Sequence, residues 1–145
     1  MTAFHELRRL ARDCRGAAII EFAIAGPPFV LLLIGVFQIA LQVQNYNALK
    51  SVASDVGRYV LIEYQKDNRL NEGQIEAKAY SLALHAPYML KNTDLDVEVS
   101  SPASRITGAD EFNIKLSYGL PDWLIYAGIK KNQISYERSI FVPTA

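Results

Sequence analysis

The sequence predicts an α+β protein: a long N-terminal transmembrane helix that continues into an amphipathic helix packed on a small antiparallel sheet. Three observations lead there. The 28 residues from Phe22 to Leu49 carry no charged side chain, although 21% of the 145 residues are charged. Beyond that gap, apolar side chains recur at steps of three and four, the spacing of one helix face. Later still, two segments alternate apolar and polar residues, the period of a half-buried strand.

The charge-free stretch sets the class of protein. As a helix it is roughly 42 Å long at 1.5 Å per residue, against a hydrocarbon core of roughly 30 Å. Its first part, Phe22-Ala-Ile-Ala-Gly-Pro-Pro-Phe-Val-Leu-Leu-Leu-Ile-Gly-Val-Phe37, is nearly all apolar, and Gln38, Gln42, Gln44 and Asn45 mark an exit into water. Arg8, Arg9, Arg12 and Arg15 precede the span, opposed by Glu6 and Asp13. Arginine-rich flanks stay in the cytoplasm, so the N-terminus is expected inside and the residues past the span outside. A cleaved secretory signal fits less well. Its apolar region runs 7–15 residues and ends at a small-residue site, whereas this run is longer and exits through Gln42-Val-Gln-Asn-Tyr46. Pro27-Pro28 is expected to bend or break the helix one turn into the span, although lipid-embedded helices tolerate proline when neighbours satisfy the freed groups.

Past the span, Val43, Tyr46, Leu49, Val52, Val56, Tyr59 and Glu63 recur on one face, with the charged or polar Lys50, Ser51, Ser54, Asp55 and Arg58 elsewhere. The apolar members need a partner, and the strands supply it. Asp67-Asn-Arg-Leu-Asn-Glu-Gly73 is turn-like, residues 74–84 suggest a second helix, and Pro87 opposes its continuation. Leu95, Val97 and Val99 alternate with Asp94, Asp96, Glu98 and Ser100; Phe112, Ile114, Leu116 and Tyr118 alternate with Glu111, Asn113, Lys115 and Ser117. Both are strands with one buried face. Residues 101–110 form a turn-rich connection, and residues 134–142 a third strand with less clean alternation. Between them Pro121-Asp-Trp-Leu-Ile-Tyr-Ala-Gly128 reads as an aromatic loop or short helix, with Trp123 and Tyr126 as core by default.

Composition excludes several functions. Lys+Arg and Asp+Glu stand at 15 each, so no global positive field recruits nucleic acid. Half the residues are hydrophobic, which excludes a disordered chain. Cys14 is the single cysteine and closes no intrachain disulfide. His5 and His85 lie 80 positions apart without neighbouring Cys or His, so no metal site and no cofactor is expected. Asp94, Asp96 and Glu98 share a strand face instead of encircling a cation, and Lys115 is expected across from them. No Ser/His/Asp set, nucleophile elbow or phosphate loop is present, so the chain reads as no enzyme with no small-molecule substrate.

One residue breaks the apolar pattern. Glu21 sits four residues into the apolar segment that begins at Ala17, where a carboxylate in hydrocarbon costs on the order of 2.5–3.5 kcal/mol and marks a functional position by default. Its context is Arg15-Gly16-Ala17-Ala18-Ile19-Ile20-Glu21-Phe22: a basic leader, a glycine, four small or apolar residues, a glutamate, an aromatic, then the span. This arrangement resembles the processing site of type IV prepilins and, more closely, the TadE-like pseudopilins of the tight-adherence (Tad) pilus. The resemblance covers about residues 15–60, from Arg15 through the leucine-rich span to Ala53-Ser-Asp-Val-Gly-Arg-Tyr59. Tyr118-Gly-Leu-Pro121 and residues 134–143 are loosely similar to the family's closing strands. Pro27-Pro28 and Gly57 depart from it. Arg58 resembles a family arginine, with a solvated or locally paired charge as its simplest role.

The resemblance implies a pilin-like fold. It also implies a cytoplasmic leader over residues 1–16, a transmembrane helix over 17–42 and an extracytoplasmic α+β domain over 43–145. A prepilin peptidase would cut between Gly16 and Ala17, and Glu21 and Phe22 would be the assembly contacts. The implied role is a minor pseudopilin of the bacterial inner membrane, N-in and single-pass. It would act in pilus assembly, initiation and surface adherence, with other pilins or pseudopilins and the Tad assembly platform as partners. The physical chemistry agrees. Glycine lets a protease approach the backbone, the freed Ala17 amine is mostly protonated at neutral pH, and it can pair with a Glu21 carboxylate between subunits. Such a pair selects register more than it adds stability, and Glu21 near the helix start suits the macrodipole. The alternative is an uncleaved, membrane-anchored extracytoplasmic binding or sensor domain.

Overall fold

A computed structural model describes residues 16–119 and 133–144. The readings that concern Cys14, His5, the arginines before Gly16, Trp123 and Tyr126 therefore lie outside the described residues. Five elements follow one another: α1 (Ala17–Gln65), α2 (Glu72–Leu84), β1 (Leu95–Ser100), β2 (Ala109–Gly119) and β3 (Gln133–Pro143). The predicted α+β class holds. The described residues divide into two compact units, one up to Ala40 and one from Leu41 onward.

In the first unit α1 presents its apolar side chains outward. Ile19, Phe22, Leu31 and Phe37 are 72%, 78%, 65% and 62% exposed. α1 is long and apolar enough to cross a membrane. A surface this apolar and contiguous is stable only under a cover. Pro27 and Pro28 lie inside the helix, which continues unbroken through them. Of the bend or break expected at this pair, no break occurs. Proline's fixed φ is itself helical, so the pair is tolerated at the cost of two missing N–H donors and of crowding against the carbonyls one turn back. Gln38 also departs from expectation. It is 4% exposed, and neither of its amide atoms has a hydrogen-bond partner among the described residues. Gln42 is half-buried and Gln44 is exposed.

The second unit is a helix pair on one face of a sheet. Leu49, Val52, Ala53, Val56 and Val60 of α1 are fully buried with Ile75, Ala79 and Ala83 of α2 and the inner faces of the strands. The stripe read from the sequence is realised from Leu49 onward, whereas Val43 is 55% exposed. α1 ends at Gln65, and Asp67 takes a left-handed conformation, φ 59°. Short aspartate side chains tolerate that region better than most. Asn68 Nδ2 and Lys66 Nζ both donate to the Glu63 carboxylate, at 2.6 and 3.0 Å.

α2 begins at Glu72, two residues earlier than its periodicity suggests. Asn71 caps it reciprocally: Gln74 N donates to Asn71 Oδ1 (2.8 Å) and Asn71 N donates to Gln74 Oε1 (3.0 Å). This capping box extends the helix into the polar segment read as a turn. His85 is the C-cap residue and is exposed, its Nδ1 2.7 Å from Ser81 O.

The sheet is antiparallel, in the order β1-β2-β3. Leu95, Val97, Phe112, Ile114, Leu116, Tyr118, Ile140 and Val142 line the core. Glu98 pairs with Lys115 in register, and Lys115 Nζ lies 3.1 Å from Glu98 Oε2 on the outer face, as expected. The irregular alternation of β3 has two causes. Arg138 replaces an apolar residue on the inner-facing set, opposite Ile114, and Phe141 sits on the outer set beneath the Arg105 guanidinium, 5.6 Å from its ring centre.

Candidate assembly segment

Gly16 is exposed immediately before α1, and a side chain added there would meet nothing within 4 Å. Ala17 opens the helix. Ala18, Ile19, Ile20, Glu21 and Phe22 are all exposed. Ala17 and Glu21 are four residues apart, so they share one helix face a single turn from each other. Glu21 has no partner among the hydrogen bonds and ion pairs of the described residues. It is the fifth residue of α1, beyond the first turn. The macrodipole acts mainly within the first turn, so its contribution to Glu21 is smaller than the sequence suggested.

The neighbouring surface is notched. Ala23, Gly26 and Pro27 have small or tied-back side chains, and Phe22, Val30 and Leu31 rise around them to leave an open apolar groove. Its shape follows from the i, i+4 spacing of Phe22, Gly26 and Val30 and of Ala23, Pro27 and Leu31. The segment thus combines an accessible glycine, a lone carboxylate and an apolar surface, with no group arranged for covalent chemistry. Among the described residues no cluster of three His, Cys, Asp or Glu is placed to hold a metal ion.

Two features of the second unit escaped the sequence reading. Arg105 donates from Nε to both oxygens of Glu111, at 3.0 and 3.1 Å, and from Nη2 to Ser139 Oγ at 2.9 Å. Arg105 N adds a bond of 3.2 Å to Glu111 Oε2. These donors hold the Glu111 carboxyl down to about 2, against the opposing effect of desolvation. Tyr88 Oη donates to Asp55 Oδ2 at 2.8 Å and ties the segment after α2 to α1. That hydrogen bond, with burial, raises the Tyr88 phenol above its ordinary value. Arg105 and Glu111 are six positions apart across the end of a turn, and Tyr88 and Asp55 are 33 positions apart. No periodic signal links either pair.

The family model for TadE-like proteins matches residues 16–58. The match begins at Gly16 and covers the apolar part of α1 and most of its continuation into the core. No curated protein and no solved structure gives a significant match. The likeness to TadE-like proteins thus spans residues 16–58, and among the described residues α1 alone is long and apolar enough to cross a membrane.

Proposed function

We propose that this protein is a minor pseudopilin of a Tad-type pilus, held in the bacterial inner membrane with its N-terminus inside and its α+β domain outside. A prepilin peptidase removes residues 1–16, and the new Ala17 amine and Glu21 then direct assembly with other pilins or pseudopilins and the assembly platform. The function served is pilus assembly and initiation and, through the pilus, surface adherence. One observation carries the reading: the TadE-like match starts at Gly16, which is exposed with open space around it and stands one turn and a bond before a lone carboxylate on an apolar helix.

Each part has a physical role. The bare glycine leaves the scissile carbonyl open to a protease on both sides. Cleavage converts the Ala17 nitrogen from an amide to an ammonium group. In a low-dielectric helix bundle that cation and the Glu21 carboxylate favour each other's charged forms. A subunit packed in the wrong axial register leaves one of them buried and unpaired, at a cost of several kcal/mol. The pair therefore sets register, while the apolar surface around Phe22 supplies contact area.

Co-expression with and without a prepilin peptidase tests the proposal. The wild-type chain shortens only when the peptidase is present, and Gly16→Leu stays full length because its side chain obstructs the bond. Cleavage of Gly16→Leu at the wild-type rate, or no peptidase-dependent shortening of the wild type, contradicts it and leaves a tethered extracytoplasmic module.

A further inference from the structure

A groove of about 280 Å³ runs between the second half of α1 and strand β3. Ser54, Gly57, Arg58 and Leu61 form its helix side, and residues 138–141 form its strand side. Three observations converge on it. First, β3 is an edge strand: β2 pairs along one side, and among the described residues no strand pairs along the other. Its outward N–H and C=O groups form a template for another strand. Second, Arg58 and Arg138 both line this groove and are both exposed, and neither meets a carboxylate among the described residues. Lys50, Arg69 and Lys91 likewise have no acidic partner among the described residues, and what sets Arg58 and Arg138 apart is that both line one groove. Third, the floor is apolar: Ile140 packs within about 3.5 Å of where a Gly57 side chain would begin, and Leu61 is 40% exposed.

We infer that this groove docks an extended, acidic segment of a partner protein, which adds as a strand to the free edge of β3 and sets carboxylates against Arg58 and Arg138. The three observations divide the work of recognition. Main-chain bonds to a sheet edge give affinity for an extended backbone, and side-chain pockets beside the edge give selectivity. Guanidinium groups suit carboxylates because their planar donors match two oxygens at once. A free phosphate would satisfy the two arginines but leave Leu61, Ile140 and the backbone edge unused. On the proposed span over residues 17–42, a lipid headgroup is too distant: Arg58 is sixteen residues beyond Gln42 along α1, roughly 24 Å at 1.5 Å per residue.

The test uses the full chain in detergent micelles and a fluorescein-labelled peptide of alternating valine and glutamate, read by anisotropy. Three control peptides accompany it: glutamine in place of glutamate, lysine in place of glutamate, and the acidic sequence with alternate backbone nitrogens methylated. The acidic peptide is expected to bind. The Arg58→Gln/Arg138→Gln double variant, with an unchanged circular dichroism spectrum, is expected to bind about tenfold more weakly or worse. The glutamine, lysine and N-methylated peptides are expected to lose binding to a similar degree. Failure of the acidic peptide to bind overturns the inference. So does equal binding by the glutamine peptide or by the double variant, or displacement by inorganic phosphate or phosphatidylglycerol vesicles at matched charge concentration.

Discussion

Arg105 lies across the carboxylate of Glu111 and closes it off from water: the Glu111 side chain is 3% exposed, whereas that of Arg105 is 69% exposed. The pair joins the connection after β1 to the outer face of β2, and Ser139 extends it to β3. An ion pair of this kind is asymmetric. Removing one partner strands a desolvated charge, and removing both leaves little penalty.

Arg105→Met is therefore expected to lower the thermal midpoint of the second unit by several degrees, measured by circular dichroism on the full chain in detergent. Arg105→Met/Glu111→Leu is expected to recover most of the loss. If the double variant is no more stable than the single, the burial of Glu111 has been misjudged.

The same pair sets a pH dependence. The folded-state carboxyl of Glu111 is lowered from 4.5 to about 2, chiefly by its bonds from Arg105. A lowered carboxyl stabilises the fold fully above its unfolded value, and the contribution is lost as pH falls through the folded value. Unfolding midpoints are thus expected to fall between about pH 4.5 and about pH 2. Glu111→Gln is expected to flatten that part of the profile. A wild-type and a Glu111→Gln profile of the same slope in this window would refute the assignment.

Gly57 faces Ile140 where α1 crosses β3. A methyl group there would stand 3.5 Å from Ile140 Cδ1, an ordinary contact. Gly57→Ala is expected to stabilise the fold by about 0.5–1 kcal/mol, through helix propensity. Gly57→Leu must displace β3 or its own helix and is expected to cost about 1–3 kcal/mol. Chemical denaturation of the two variants gives opposite signs if the crossing is as described, and the same sign if it is not.

Asn71→Ala removes the acceptor for Gln74 N and with it half of the reciprocal cap. A loss of about 1 kcal/mol is expected. Faster hydrogen exchange should appear at the first turn of α2, with Ala79, Ala83 and the strand core exchanging at wild-type rates relative to global unfolding. Uniform acceleration across the domain would show that the cap acts globally.

These residues also mark where the sequence is legible. The order of elements, the two clean strands, the outer-face placing of Glu98 and Lys115 and the core stripe from Leu49 to Val56 all follow from local periodicity, because a period of two or 3.6 directly encodes a buried face. The start of α2 lies earlier than periodicity indicates because Asn71 and Gln74, turn-formers by type, bond each other's backbone reciprocally. Arg105–Glu111, Gly57–Ile140 and the uncovered edge of β3 depend on which elements meet in space. No spacing along the chain carries that information. For the segment proposed to direct assembly the case is reversed: Gly16, Glu21 and Phe22 stand out as sequence, whereas the structure adds their exposure and the placing of Glu21 beyond the first turn.

Glu21→Ala is expected to leave membrane insertion intact and to abolish co-purification with pilus components, measured by membrane fractionation followed by pulldown. The loss should be rescued poorly by Glu21→Gln, which keeps the shape and removes the charge. Normal incorporation of either variant would dissociate Glu21 from register selection.

The intact mass of the protein extracted from its native membrane is the most direct test of the account. A chain whose first residue is Ala17, lacking the four arginines and Cys14 that precede it, is the predicted result. A chain that still carries residues 1–16 would contradict the filament role and leave an anchored extracytoplasmic domain in its place.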